Sequence, residues 1–138
     1  MTTDTANLDP PARHFAAPVV QFLRYDISFS IADATTLTIG TIPAGSVIIK
    51  PMSGVNVSTV FNAGTNNYLD IGASTDSGTN NFATQLSLLT ANFIPLDETV
   101  SFFVSVETKI QALLTVSGTA ATTGVGQIVI AYVEDIDR

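Results

Sequence analysis

Apolar side chains return at every second position along most of this sequence. Ile27, Phe29 and Ile31 alternate with Asp26, Ser28 and Ser30, Leu37 and Ile39 with Thr36 and Thr38, and Leu69 and Ile71 flank Asp70. Val100, Phe102, Val104 and Val106 follow the same rule, interleaved with Ser101, Ser105 and Glu107. A period of two sends successive side chains to opposite faces of an extended chain, so these segments read as half-buried strands. Punctuation between them is turn chemistry. In Ile42-Pro43-Ala44-Gly45, proline presets the second turn position and glycine suits the fourth. Val47 to Ile49 is a short apolar strand that Pro51 ends, and Val55 and Val57 begin another that runs to Phe61, with a slip near Thr59 that predicts a bulge. Tyr68–Ala73, Leu113–Val116 and Gln127–Val133 complete the set, and loops are expected over 62–67, 74–81 and 118–126, the last as a mobile Gly-rich hairpin.

One segment departs from the period. Phe82, Leu86, Leu89 and Phe93 fall at spacings of four, three and four, which predicts a short helix closed by Pro95. About eight strands with one brief helical excursion predict an all-β, antiparallel sandwich of jelly-roll type. Residues 1–23 stand apart as an extended N-terminal arm, in which Pro10, Pro11 and Pro18 oppose helix and sheet alike, and residues 24–138 form the β-sandwich domain.

The 138 residues suit one domain, but the composition is unusual: 46% hydrophobic and only 12% charged, against about 25% charged in an ordinary soluble domain. The outside is therefore covered by Thr, Ser and Asn and, we expect, by neighbouring subunits. Two positions carry that expectation. Strand 127–133 is apolar on both faces, Ile128, Ile130 and Tyr132 against Val129, Ala131 and Val133, and Phe103 interrupts the polar face of its strand. A sandwich normally leaves one face of each sheet wet, so Phe103, Val129 and Val133 are the candidate subunit-interface residues. In the arm, Phe15, Val19, Phe22 and Leu23 are the candidate partner contacts, because solvated tails are normally poor in aromatics.

The charge balance excludes several functions. Net charge is −7, and the five basic residues, Arg13, Arg24, Lys50, Lys109 and Arg138, are scattered. Nucleic-acid binding needs them clustered, and an acidic surface repels anionic lipid. Cysteine is absent, which removes thiol catalysis, disulfides and zinc–thiolate sites. No basic, apolar leader opens the chain and no apolar run approaches the roughly 20 residues of a membrane span, so folding in a cytoplasm is expected. His14 is the single histidine and sits in the Pro-rich arm, a poor place for a triad imidazole. Asp26, Asp33, Asp70, Asp76, Asp97, Glu98 and Glu107 read as solvated strand and loop carboxylates. Neither a calcium loop nor a phosphate-binding glycine motif is present. No catalytic residue, metal or cofactor is expected.

The order of segments resembles small structural proteins of tailed-bacteriophage and prophage head gene clusters. It is carried by Thr41-Ile42-Pro43-Ala44-Gly45 followed by Ser46-Val47-Ile48-Ile49, then Phe61-Asn62-Ala63-Gly64 and Leu69-Asp70-Ile71-Gly72. The Thr/Gly loop 122–126 and the strand 127–133 close it, so the resemblance covers residues 25 to 134. Such proteins are similar to head decoration (cement) proteins and to head-fibre or spike subunits, commonly β-rich and often trimeric. The resemblance implies a virion protein on the head surface, a homotrimer that contacts the major capsid protein or another virion protein, with no catalytic residues. A tail or fibre component and a carbohydrate-binding β-sandwich are the alternatives; the absence of Trp and the presence of only three Tyr disfavour the second. A coat protein that packs RNA with a basic arm fits poorly, since this arm sets Asp4 and Asp9 against Arg13 alone.

Overall fold

A computed structural model describes residues 19–75 and 79–134. Among these described residues ten strands form two antiparallel sheets: β1 (Val20–Ser28), β2 (Thr35–Ile42), β3 (Ser46–Ile48), β4 (Gly54–Thr59), β5 (Asn66–Ala73), β6 (Ala83–Ser87), β7 (Phe93–Pro95), β8 (Phe103–Val104), β9 (Thr108–Ser117) and β10 (Val125–Val133). In the first sheet β10 is central. Along one edge it pairs with β1 in unbroken register, from Val20 opposite Val133 to Ser28 opposite Val125. Along the other it pairs with β4 and then with β3. β3 and β4 are two halves of one strand, parted by a 3-10 turn at Lys50–Met52, where Pro51 has no amide for a ladder. Ser53 seals the gap: its buried hydroxyl accepts from the Ala131 amide at 2.9 Å and donates to the Ile49 carbonyl at 2.8 Å. β7 pairs with β4 and β8 with β3, so the outermost strand is also in two pieces. The second sheet runs β2-β9-β5-β6.

The pairing is nested. First meets last (β1 with β10), second meets next-to-last (β2 with β9), β3 and β4 meet β8 and β7, and β5 meets β6. The chain is thus one long hairpin wound on itself, and counting each interrupted strand once leaves eight; the total equals the expected one, but the sequence pattern counts β3 and β4 separately and hides β6. Between the sheets, Ile27, Ile48, Val55, Ile128 and Ile130 pack towards Leu37, Leu69, Ile71, Ile110 and Leu114, all buried. Each such side chain contributes about 1.5–3 kcal/mol by leaving water. The predicted slip near Thr59 is present: the register shifts so that Val57 and Thr59 face the adjacent Gly126 and Val125.

Three expectations are corrected. The helix over Phe82–Phe93 is absent; this stretch is β6, a connection and β7. Its helix-like spacing arises because Gln85 takes a positive φ of 51°, which inserts a residue between the inward-facing Ala83 and Leu86. Leu89 and Phe93, assigned to the buried helical face, are exposed. The alternating run Val100–Val106 yields strand only at Phe103–Val104; Phe102 instead stacks on Phe82, ring centres 5.5 Å apart, beneath the Lys50 ammonium. The loop at 118–124, expected to be mobile, is tied down. The Asn62 side-chain carbonyl accepts from the Thr122 and Thr123 amides at 2.8 and 3.0 Å, and Thr123 donates its hydroxyl to the Val60 carbonyl. The arm read over residues 1–23 meets the described structure at its end, where Val20–Leu23 lie in β1; residues 1–18 lie outside the described residues.

Candidate protein-contact surface

The outward face of the first sheet is where the exceptions to the alternating pattern collect. Register places Val20 beside Val133, Val133 beside Val47, and Val47 beside Phe103. These four residues form one row across four strands. Phe103 is 54% exposed and Val47 46%, Val20 is also exposed, and Val133 is half-buried. Neighbouring strands lie ~4.8 Å apart, so the row is a continuous strip rather than a scatter of single exposed residues, which would need no explanation. Phe22, opposite Ala131, is 44% exposed and extends the strip along β1. The Arg24 guanidinium lies 5.7 Å from the centre of its ring.

Farther along the face the character changes. Arg24 and Val129 share a row with Gly54 and Pro95, then Asp26, Gln127 and Asn56 share the next with Phe93. Asp26 accepts from the Gln127 side-chain amide at 2.9 Å. The strip end therefore carries no carboxylate on its strands, and the polar end carries Asp26. Tyr132 donates its hydroxyl to Gln21 at 3.3 Å, and the Gln21 amide donates to Glu134, which pins the ends of β1 and β10 together beside the strip.

Of the residues singled out from sequence, Phe22, Val129, Val133 and Phe103 are thus brought onto one face. Val19 is exposed just ahead of β1. Leu23 is not on this surface: it turns between the sheets against Gly40, where an added Cβ would lie 2.9 Å from a Leu23 methyl. Phe15 lies outside the described residues. Val20 and Val47 belong to the strip but were not singled out. Within Val47-Ile48-Ile49 every residue is apolar, so only the register reveals that Val47 faces out while Ile48 faces in.

Three carboxylates serve the backbone. Asp33 accepts from the Val116 amide at 3.0 Å, Asp97 from Thr84 at 2.9 Å and Asp70 from Gln85 at 2.6 Å. Burial lifts the Asp70 carboxyl above its ordinary 3.8; the Gln85 bond opposes this and the nearby Asp97 charge adds to it. Among the described residues, no three His, Asp or Glu side chains gather into a metal-holding group. His14 and Asp76 lie outside the described residues.

No family model matches the sequence, and no curated protein matches it. Two solved structures share the fold. A chain in the cyanophage Pam1 capsid asymmetric unit superposes with a TM-score of 0.64 at 14% identity, covering 97% of this chain and 97% of that one. A chain in the acidic stable capsid structure of Helicobacter pylori bacteriophage KHP30 superposes with a TM-score of 0.64 at 12% identity, covering 83% of this chain and 87% of that one. The nested two-sheet architecture is therefore a fold that also occurs in chains of two phage capsids.

Proposed function

We infer that this chain is a non-enzymatic structural protein of a phage virion, a jelly roll that decorates and stabilises the outer surface of the head. The observation that carries the reading is the end-to-end fold match to a chain of a phage capsid asymmetric unit, in a molecule whose Asp33, Asp70 and Asp97 cap its own backbone. The nested strand order supports the jelly-roll assignment, because two interlocked Greek keys pair first with last in this way. On this reading the working form is a homotrimer. Phe103, Val129 and Val133 lie at its subunit interface, consistent with the greater apolarity of obligate contacts. The N-terminal segment, with Phe15, Val19 and Phe22, tethers it to the major capsid protein or another head protein.

The test is co-sedimentation of the purified protein with heads that lack it, alongside its mass in solution by light scattering. Saturable binding by a trimer supports the reading. A monomer that stays in the supernatant overturns it.

A further inference from the structure

Three of the four sheet edges are blunted in ways that discourage a further strand. β2 carries a register shift between Thr38 and Gly40. β6 carries the Gln85 irregularity, and Asp97 occupies its Thr84 amide. β7 and β8 are three and two residues long. β1 is different: nine residues, no bulge, no proline, and among the described residues no strand on its outer side.

The hydrogen-bond parity of β1 is fixed. The Phe29 amide bonds the Gly124 carbonyl at 3.0 Å, one step beyond the Ser28–Val125 pair. Odd-numbered residues therefore turn their backbone groups towards β10, and Val20, Phe22, Arg24 and Asp26 turn theirs to the open edge. On that edge Arg24 and Asp26 are both exposed and stand two residues apart on the outward face. Neither meets an opposite charge among the described residues; Arg24 covers Phe22 and Asp26 holds Gln127.

We propose that the open edge of β1 pairs antiparallel with β1 of a second copy of this chain, about a twofold axis at Tyr25. Parity lets even-numbered residues face only even-numbered ones, so the register slides in steps of two. An axis at Arg24 sets Arg24 against itself, and an axis at Asp26 sets Asp26 against itself. An axis at Tyr25 sets Arg24 opposite the second copy's Asp26 on both sides of the axis, with Phe22 opposite Ser28 and Leu23 opposite Ile27. Opposite charges directly across a strand pair stabilise it and like charges oppose it, so the sequence of β1 selects this register. The contact uses the edge of the sheet, not the apolar strip on its face. Within the reading above it joins one trimer to the next, yet it stands or falls on the free protein.

The chain has no cysteine, so a single introduced thiol reports one position. In this register Tyr25 faces Tyr25 in a non-hydrogen-bonded pair, whose Cα separation of about 4.5 Å suits a disulfide. Oxidation of full-length Tyr25→Cys is expected to give a covalent dimer on a non-reducing gel more than about tenfold faster than Thr36→Cys, an exposed site on the other sheet. Adding Arg24→Asp should abolish that advantage, and the charge swap Arg24→Asp with Asp26→Arg should restore it. Sedimentation of chains that keep Tyr25 reads the same series without the thiol: a doubling of the basal oligomer mass at high concentration, lost in Arg24→Asp and regained in the swap. Basal mass reports the trimer and the doubling reports the β1 contact, so the two readings fail separately. Crosslinking no faster than Thr36→Cys, or a swap that does not recover, overturns the proposal.

Discussion

Two buried serines show how one hydroxyl can be a liability or a support. Ser46 is fully buried and its Oγ has no hydrogen-bond partner. Ser53 is equally buried, but its Oγ stands in for a missing ladder partner of Ala131. Ser46→Ala is therefore expected to be neutral or to stabilise by up to about 1 kcal/mol, whereas Ser53→Ala strands a buried amide and costs about 1–3 kcal/mol. Urea unfolding of the two variants checks the contrast. Asp70 makes a pH-dependent contribution. Because burial raises its folded-state value above 3.8, the native protein keeps this proton to a higher pH than the unfolded chain does. Stability from this site is thus retained below 3.8 and lost as pH rises through the raised value. Asp70→Asn keeps an acceptor for the Gln85 amide and removes the charge. Its stability advantage over wild type should be absent below pH 3.8 and grow above it, as read by denaturant unfolding across the pH series.

At the scale of elements, the close approaches are made by backbone. An added Cβ at Gly54 would lie 2.0 Å from the Ile94 carbonyl oxygen, at a φ of +156° that side chains rarely adopt. Gly54→Ala must part β4 from β7, and a loss of about 3 kcal/mol or more is expected in thermal or urea melts. Gln85 sits in the left-handed region without being glycine. Gln85→Gly should be neutral or stabilising by up to about 1 kcal/mol, and Gln85→Val should cost about 1–2 kcal/mol. The same residue explains what the sequence concealed. The second half of β1, from Tyr25, and the alternating stretches of β2 and β5 were legible because one face of each packs on the core, and β10 was legible as a continuous apolar run; Val20–Leu23, read as arm, were not. In and beside β6 the buried positions are Phe82, Ala83, Leu86 and Leu88, and the extra residue at Gln85 sets Phe82 and Leu86 four apart, a helical step. Val100–Val106 alternates as well, but a strand needs a partner, and only Phe103 and Val104 find one in β3. Pro51 was legible as an end of strand; that the strand resumes at Gly54 on the same edge of β10 is a tertiary fact. The outward apolar strip was legible where a residue broke the pattern, as Phe103 and Val133 do, and Val129 lies on the same face. It was hidden at Val47, which is followed by the equally apolar Ile48 and Ile49.

For the whole molecule, the outward strip is a surface whose chemistry matters only when something covers it. Phe103→Asp changes an exposed side chain and should leave the melting of the monomer fold within about 0.5 kcal/mol of wild type. On the reading above it should lower the oligomer mass measured by light scattering, since it buries a carboxylate against an apolar partner. The nested pairing also governs time. β1 can close only on β10, and the bond from Gln21 to Glu134 spans 113 positions of chain. During synthesis β1, β3 and β4 leave the ribosome with no central strand to receive them, and the first sheet assembles only once Val125–Val133 has emerged. Contacts so remote in sequence place folding in the slow range, about milliseconds to seconds. Until then the most regular edge of the molecule is open on both sides, and neighbouring nascent chains that carry the same complementary charges are the first strands it can meet.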